Sequence, residues 1–336
     1  MRFTGKSSVI GCFVFLAGFS HSAFAVENYT IAPPFGEMQN DVTDTFQNLM
    51  HTKNINLDLA TLQTFKIIFV PGLLADPVDD VYGYFKDEMT ALKTLGLKQD
   101  SDFMMIGPKQ GFSGEQSIDT NLEVISSEVR ASDRPVLLIS HSKGSVDALA
   151  ALVKYPDLRS KVKAWFSIQA PFWGSPIADA ITPMPIDSTL LEGIIKLFHG
   201  TMASVSELRR PERRDFMNSN AAEITKVISQ VKTISFASSK GFLFRMLALS
   251  AIDLGYCLPK YNCNGSFIDG LVEVDDALLP GTDYINVTGL DHLDTVLSVG
   301  SDLDRQQFMR TMATMLLQSI SSPFIKTSDH NSTQEL

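Results

Sequence analysis

Cysteine is scarce in this chain, with three residues among 336. Cys12 lies in an apolar N-terminal run, whereas Cys257 and Cys263 are separated by five residues in a loop-like stretch. No second cluster of cysteine or histidine accompanies this pair, which argues against a zinc site. In an oxidising compartment the pair is expected to form one disulfide, and two free thiols are the alternative that the spacing leaves open.

The apolar run at the N-terminus is too short to span a bilayer. Residues 9–19 are apolar, but about 11 residues do not suffice where about 20 are needed. Arg2 and Lys6 precede the run, and Ala23 and Ala25 follow it in an A-x-A pattern. We therefore expect residues 1–25 to be a signal peptide, and the mature chain to be secreted or periplasmic with no integral membrane segment. A membrane anchor is the alternative.

The chain has fewer basic than acidic residues, 28 against 38. The formal net charge is −10, and removal of residues 1–25 would delete two cations and no anion, giving −12. Such a surface excludes nucleic acid as a favoured partner. The basic cluster at residues 209–214 contains no aromatic residue and is interrupted by Pro211 and Glu212. We interpret it as a solvated helix end.

Short apolar runs alternate with helical patterns along the chain. Strands are predicted at residues 65–70, 103–106, 135–140, 162–169, 233–237 and 284–287, with helices at 81–95, 118–132, 146–155 and 302–319. Nearly unbroken apolar strands are typical of a sheet that is buried on both faces. The alternation predicts an α/β fold with a doubly wound, mostly parallel sheet.

One long connection interrupts this alternation. About sixty residues separate the predicted strands at 162–169 and 233–237, far more than an α/β connection needs, and they include helical stretches near 190–198 and 221–231. We interpret residues 171–232 as a helical cap or lid within a main domain of residues 65–320. Residues 26–64 would then be an N-terminal extension, in which a short helix is expected from 37 to 50, and residues 321–336 a polar tail.

Ser142 lies between a predicted strand and a predicted helix, in the stretch SHSKG of residues 140–144. This setting predicts a nucleophile elbow with Ser142 at its tip. The turn is tight, so small residues are favoured two positions before and after the serine. Ser140 and Gly144 occupy those positions, and Ser140 departs from the G-x-S-x-G consensus.

A serine nucleophile needs a base, and the base needs a carboxylate that holds it. In a nucleophile-elbow enzyme the acid and then the histidine follow the serine along the chain. His292 lies in a Gly-containing loop after a predicted strand, whereas His330 lies in the polar tail. We therefore predict His292 as the base. His51 and His199 are interpreted as surface or cap residues.

Asp269 is the predicted acid. With Gly270 it follows a short apolar stretch, which would end a strand in a turn and expose the carboxylate at the same sheet edge. The competing carboxylates are Asp253, Glu273, Asp275 and Asp276.

Two backbone N–H groups are expected to stabilise the oxyanion of a tetrahedral intermediate. One should belong to Lys143, directly after the nucleophile, and the other to Leu73, with Leu74 as the alternative. A base role for the Lys143 side chain is disfavoured because adjacent side chains diverge. His141 is expected to pack or to hydrogen bond.

Four segments carry a resemblance to a known family: residues 70–73, 140–144, 169–176, and 269–272 with 291–294. Through them the chain resembles the bacterial lipase and esterase branch of the α/β-hydrolase superfamily. The family usually has His-Gly where this chain has Pro71-Gly72, and Gly at the position of Ser140. Some relatives bind a structural calcium through an aspartate at the position of Asp294. The remaining ligands are not identifiable, so we predict no cofactor and no metal site, with structural calcium as an alternative.

The resemblance and the serine–histidine–aspartate order predict an exported serine hydrolase that cleaves carboxylic esters through an acyl-enzyme on Ser142. Apolar residues in the predicted cap favour a lipid-like substrate and transient contact with a lipid interface, or they pack on the domain below. They are Trp173, Ile177, Ile181, Met184, Leu190, Leu191, Ile194, Leu197 and Phe198. An acyltransferase or thioesterase with the same triad, and a catalytically silent binding protein, are the alternatives.

Overall fold

The computed structural model describes residues 40–73, 83–182, 202–240, 268–298 and 301–321. Several predictions concern residues outside these ranges: the signal peptide, the disulfide between Cys257 and Cys263, the cap helix near 190–198 and the polar tail. Four individually named candidates also lie outside the described residues, namely Leu74, His199, Asp253 and His330.

Six parallel strands form one sheet in the described part of the chain. They are β1 Lys66–Val70, β2 Phe103–Met105, β3 Val136–His141, β4 Val162–Ile168, β5 Lys232–Ser239 and β6 Asp283–Thr288. Their order across the sheet is β2-β1-β3-β4-β5-β6, and every neighbouring pair is parallel. The doubly wound, parallel sheet expected from the sequence is thereby confirmed.

Helices cover both faces of this sheet. They are α1 Thr43–His51, α2 Leu59–Leu62, α3 Lys86–Thr94, α4 Ile118–Ala131, α5 Lys143–Lys154, α6 Pro156–Lys161, α7 Pro176–Ile181, α8 Met202–Ser206, α9 Arg210–Ser219, α10 Ala221–Gln230, α11 Val274–Ala277 and α12 Arg305–Ser321. A 3-10 turn spans Pro108–Gln110. Among the described helices, none has the length and apolar character that a membrane crossing requires.

Alternate residues of the central strands β1 and β3 enter two separate hydrophobic cores, because successive side chains of a strand point to opposite faces. Ile67 and Phe69 of β1 pack in the first core with α1, α3 and α12, whereas Ile68 and Val70 pack in the second with α4, α5 and α10. Burial on both faces explains why these strands are apolar nearly throughout.

The described part of the predicted N-terminal extension belongs to the first of these cores. Phe46 of α1 is buried and meets the rings of Phe236 and Phe308 edge-on, with centroids 5.4 and 5.8 Å away. Asp41 forms a parallel bridge with Tyr284 of the edge strand β6. Residues 40–51 therefore cover this edge of the sheet.

Two helices begin later than the sequence suggested, for local reasons. Before α3, Gly83 and Phe85 adopt left-handed φ values of 67° and 53°, through which a right-handed helix does not continue. Before α12, the Asp304 carboxylate accepts the Gln307 N–H at 2.9 Å. This is the contact of a helix N-cap, so α12 starts at Arg305.

The basic cluster is not a solvated helix end, so that interpretation was wrong. Arg210 and Arg213 of α9 are both buried. The Arg210 guanidinium pairs with Asp276 at 2.8 Å and with Glu273 at 2.7 Å. The guanidinium of Arg213 lies 4.5 Å from the centre of the Phe216 ring. Burial of the Arg210 charge depends on two carboxylates that are distant in the chain, which a local sequence pattern does not reveal.

Candidate active site

The candidate site lies where β1 and β3 end side by side. Val70 at the end of β1 pairs with Ser140 near the end of β3, so the loops that follow emerge next to each other. From β1 the chain continues to β2 on one side and then returns to β3 on the other. Such a reversal of strand order opens a crevice at the carboxyl ends of the strands, and ligands of doubly wound sheets bind there.

Ser142 occupies the tip of a strained turn between β3 and α5. Its φ and ψ are 53° and −130°, values that a non-glycine residue holds only when its surroundings enforce them. The enforcement is visible on both sides of the turn. The Ser142 N–H donates to the Ile168 carbonyl at 2.9 Å, and a Cβ on Gly144 would lie 2.2 Å from the Pro71 carbonyl oxygen. Gly144 is therefore required for the turn to approach β1.

Ser140, the departure from the consensus, is accommodated by hydrogen bonds. Its hydroxyl lies 2.7 Å from the Ser145 hydroxyl and accepts the Trp165 indole N–H at 2.7 Å. Ser140 is fully buried. The indole donor from β4 thus satisfies the extra hydroxyl where a glycine would have none, and the turn keeps its shape.

Ser142, His292 and Asp269 form one hydrogen-bonded row. The Ser142 Oγ lies 2.8 Å from His292 Nε2, and His292 Nδ1 lies 2.8 Å from Asp269 Oδ2. The carboxylate can only accept, so Nδ1 carries a proton and Nε2 is free to accept from the serine hydroxyl. This tautomer is the one that a general base needs. All three side chains are buried.

Asp269 lies in a turn, and most of the apolar stretch expected to precede it as a strand lies outside the described residues. It follows Ile268, which forms an antiparallel bridge with Glu273 and whose carbonyl accepts the Lys240 N–H at 3.2 Å. Its Oδ1 accepts the N–H groups of Leu271 and Val272 at 2.9 and 2.8 Å. These contacts leave Oδ2 for the histidine.

The competing carboxylates within the described residues are placed elsewhere. Glu273 and Asp276 pair with Arg210, and Asp275 is exposed on α11. Burial raises the pKa of Asp276 to about 6, against the opposing effect of Arg210. Asp269 is the candidate that contacts His292.

The two predicted oxyanion donors flank the nucleophile. Lys143 is the first residue of α5, a position at which helix geometry supplies no acceptor for the backbone N–H. Leu73 follows Gly72 and lines the cleft beside Ser142. The Lys143 side chain points away and is buried against Asp147, with Nζ 3.0 Å from Oδ1. It is therefore engaged as an ion pair and not as a base.

The loop that carries His292, residues 289–295, is called the base loop below. Gln169, at the end of β4, has a φ of 48° and donates its amide N–H groups to the Asp291 carbonyl and the Ser238 hydroxyl. Its Oε1 accepts from the Thr295 hydroxyl at 2.7 Å. Sequence reasoning missed Gln169, since its partners lie far away in the chain.

Lys240 holds the base loop from the other side. Its Nζ lies 3.3 Å from Asp291 Oδ2 and 2.6 Å from Asp294 Oδ2, and both carboxylates are buried. Asp294, which matches a calcium ligand of some relatives, thus contacts a lysine ammonium here. In the described ranges, no three His, Cys, Asp or Glu side chains are grouped so that they could hold a metal ion.

The remaining histidines differ in burial. His51 is exposed on α1. His141 is buried between Tyr84 and the base loop, and its Nδ1 lies 2.5 Å from the Tyr84 hydroxyl. Burial, and secondly the neighbouring His292, lower the pKa of His141 well below its ordinary value. His141 is therefore a neutral hydrogen-bonding group at neutral pH.

An apolar cleft of about 560 Å³, open to solvent, leads to Ser142 and His292. Its apolar lining comes from Leu73, Pro171, Ile177, Ala178, Val205, Leu208, Leu271, Val272 and Leu293. Ile177 of the predicted cap thus faces the cleft, whereas Trp173 packs in the second core. The described part of the cap both packs on the domain and forms a wall of the site.

Comparisons with known proteins agree on the fold. No protein-family model matches the sequence, and no curated protein matches it. Among solved structures, a metagenomic carboxyl esterase is 21% identical with a TM-score of 0.59, and the match covers 76% of each chain. A Bacillus licheniformis lipase in its mature form is 19% identical with a TM-score of 0.56, over 76% of this chain and 92% of the lipase. The expected resemblance holds at the level of the α/β-hydrolase fold.

Proposed function

We propose that this protein is an exported serine hydrolase that cleaves carboxylic esters with lipid-like acyl groups. The single observation that carries the proposal is the row in which Ser142 Oγ and His292 Nε2 lie 2.8 Å apart and His292 Nδ1 lies 2.8 Å from Asp269. Of the two similar structures, one is a carboxyl esterase and the other a lipase, which agrees with the proposal. The N-terminal pattern of residues 1–25 supports export.

In the proposed reaction His292 Nε2 takes the proton of the Ser142 hydroxyl, and Oγ attacks the ester carbonyl carbon. The N–H groups of Leu73 and Lys143 bind the oxygen on which negative charge develops. The tetrahedral intermediate collapses, the C–O bond to the alcohol breaks, and His292 gives its proton to the leaving oxygen. Water then attacks the acyl-enzyme with His292 as base and releases the acid. Asp269 stabilises the imidazolium in both halves.

The apolar lining of the cleft supports a lipid-like acyl group. Burying one methylene contributes about 0.8 kcal/mol, which corresponds to about a fourfold gain in kcat/KM per methylene while the chain remains inside the cleft. We therefore expect kcat/KM to rise from acetyl to longer acyl esters and then to level off. Measurement with p-nitrophenyl esters of increasing chain length, and with a lipid emulsion, tests this expectation.

The mechanism is tested with Ser142→Ala and a matched control, Ser229→Ala. Ser229 is exposed on α10, and its hydroxyl donates to the Lys226 carbonyl of the same helix. Ser142→Ala should lower ester hydrolysis at least about a thousandfold and abolish labelling by a fluorophosphonate. Ser229→Ala should retain both properties. Full activity of Ser142→Ala would refute the mechanism.

Three further outcomes separate the alternatives. A wild type that neither hydrolyses esters nor reacts with the fluorophosphonate would favour a silent binding protein. Product analysis with added alcohol or thiol acceptors distinguishes a transferase from a hydrolase. If the protein is exported, it should be found outside the cytoplasm, and N-terminal sequencing should give Val26 as its first residue.

A further inference from the structure

Tyr84 and His141 form a buried pair beside the candidate triad that the proposed mechanism does not use. Tyr84 precedes α3, and His141 is the last residue of β3. Both are at most 1% exposed. Their rings are T-shaped with centroids 5.8 Å apart, and the His141 ring lies 4.7 Å from the ring of His292. A polar pair at this depth demands an account of every donor and acceptor.

The direction of each hydrogen bond around His141 is determined by its partners. His141 Nε2 lies 2.9 Å from the His292 carbonyl oxygen and 3.3 Å from Gln169 Oε1. The Gln169 amide nitrogen donates to the Asp291 carbonyl, which fixes the amide orientation, so both neighbours of Nε2 are acceptors. His141 Nε2 therefore carries the proton and donates it, and Nδ1 is left as an acceptor.

Tyr84 supplies the matching donor. Its hydroxyl oxygen accepts the Gly72 N–H at 3.0 Å, and its own proton is donated to His141 Nδ1. Burial raises the pKa of Tyr84 above its ordinary value, so the phenol remains protonated. One directed chain of hydrogen bonds thus runs from the Gly72 N–H, through the phenol and the imidazole, to the His292 carbonyl.

This chain of hydrogen bonds joins two loops of the proposed chemistry, the base loop and the oxyanion loop, which is defined as residues 71–73. Gly72 is packed so closely that a Cβ there would lie 2.9 Å from the Ser142 Cβ and 3.0 Å from the Tyr84 hydroxyl. Leu73, the proposed oxyanion donor, is the next residue. The position of the Leu73 N–H therefore depends on where Tyr84 holds Gly72.

We propose that Tyr84 and His141 are positioning residues, which fix the oxyanion loop and the base loop relative to each other. They thereby align the Leu73 N–H with the carbonyl oxygen of the ester that Ser142 attacks. This inference rests on the proposed function. A displacement of about 1 Å at a reacting centre costs on the order of a hundredfold in rate, so the alignment affects catalysis although neither side chain is the nucleophile, the acid or the base.

The test is Tyr84→Phe, which removes the hydroxyl and keeps the ring. We expect kcat to fall about 10- to 100-fold with KM changed less than about twofold, since the apolar cleft is unchanged. The inhibition constant of an alkylboronic acid, which forms a tetrahedral adduct on a serine, should rise by the same factor as kcat/KM falls. Tyr155→Phe is the matched control, because its hydroxyl donates to Glu123 at the surface, and it should leave all three values unchanged.

Nuclear magnetic resonance gives a readout that does not depend on activity. In the wild type, ¹⁵N shifts should report that His141 is protonated at Nε2 and remains neutral at pH values below the ordinary pKa of histidine, and the Gly72 amide should be protected from exchange. In Tyr84→Phe the Gly72 amide should lose protection while the Ser142 region remains folded.

Wild-type kcat and boronate affinity in Tyr84→Phe would overturn the positioning role, as would a wild-type His141 protonated at Nδ1. A parallel loss of folded fraction and of activity, with kcat per labelled serine unchanged, would also overturn it. An inactive wild type with the expected His141 and Gly72 signals would instead reject the proposed hydrolase chemistry, so the two failures are distinguishable.

Discussion

Replacing Gly144 by alanine should damage both stability and activity, although Gly144 lies in the first turn of a helix where alanine is normally favoured. The added Cβ would lie 2.2 Å from the Pro71 oxygen and 2.6 Å from the Val70 oxygen, where ordinary contact begins near 3.4 Å. Both obstacles are backbone atoms, so β1 and the elbow must separate by roughly 1 Å, a displacement of the kind that overpacking forces.

Two effects oppose each other in this substitution, and the steric cost is larger than the gain in helix propensity. Overpacking costs about 3 kcal/mol when the obstacle does not yield, whereas exchanging glycine for alanine in a helix gains at most about 1 kcal/mol. We expect Gly144→Ala to lower the unfolding free energy by about 2 kcal/mol in urea titrations. The shift also moves the oxyanion loop, so kcat/KM should fall about 100-fold.

Gly107→Ala is the matched control for this prediction. No atom lies within 4 Å of a Cβ built on Gly107, and its φ of −156° suits any residue. We expect a stability change under about 0.5 kcal/mol and unchanged kinetics. If Gly144→Ala unfolded at the same urea concentration as Gly107→Ala and kept the wild-type kcat/KM, the steric reasoning about the elbow would be refuted.

Three further substitutions address the acid, a buried carboxyl and the base loop. Asp269→Asn should lower kcat about 10⁴-fold, because an amide favours the wrong tautomer of His292, with a thermal melt close to that of the wild type. Burial raises the pKa of Glu88 to about 8 from 4.5. Between these pH values the carboxyl is protonated in the folded state and ionised in the unfolded state, so the wild type loses stability as pH rises. Glu88→Gln should therefore become increasingly more stable than the wild type between pH 4.5 and pH 8 in urea titrations. Lys240→Met should cost about 3 kcal/mol because it leaves two buried carboxylates without their cation, against less than about 0.5 kcal/mol for Lys226→Met, whose partner is exposed.

Each of these expectations has a contrary result. An Asp269→Asn enzyme with more than about a tenth of the wild-type kcat would exclude Asp269 as the acid. A stability difference for Glu88→Gln that stays constant with pH would show that the Glu88 carboxyl does not titrate on unfolding. Equal unfolding free energies of Lys240→Met and Lys226→Met would show that Lys240 does not hold the base loop.

The sheet could be predicted because its signal is local. Each central strand is buried on both faces, so it is apolar along its whole length, and the runs at residues 65–70 and 135–140 coincide with β1 and β3 to within one residue. Helix starts were less predictable. The left-handed backbone at Phe85 and the N-cap at Asp304 act through single residues that an apolar period does not register.

The candidate triad could be predicted in part because chain order constrains it. Ser142 and His292 were chosen from motif and order, and the structure brings them together with Asp269. The way in which Asp269 is held was not predicted, since its carboxylate is fixed by the N–H groups of the residues that follow it. A turn of this kind resembles any Asp-Gly turn in sequence.

Tyr84 and Gln169 could not be predicted, because their roles depend on contacts across the fold. Tyr84 contacts His141 over 57 residues of chain, and Gln169 contacts Asp291 over 122. The burial of Arg210 has the same origin, in a partner 66 residues away. Buried polar groups are specified by tertiary partners, so they are the part of a site that local patterns reveal least.

The parallel order of the strands has a consequence for when the chemistry can first appear. Ser142 and His292 are 150 residues apart, and they follow β3 and β6, which are separated in the sheet by β4 and β5. Parallel pairing joins distant segments and is a slow step of folding. In a chain that has formed its helices and only its first strands, Ser142 and His292 are therefore not yet next to each other. If the proposed function is correct, hydrolysis begins only when the last strand is in place, and the appearance of activity during refolding reports the completion of the sheet.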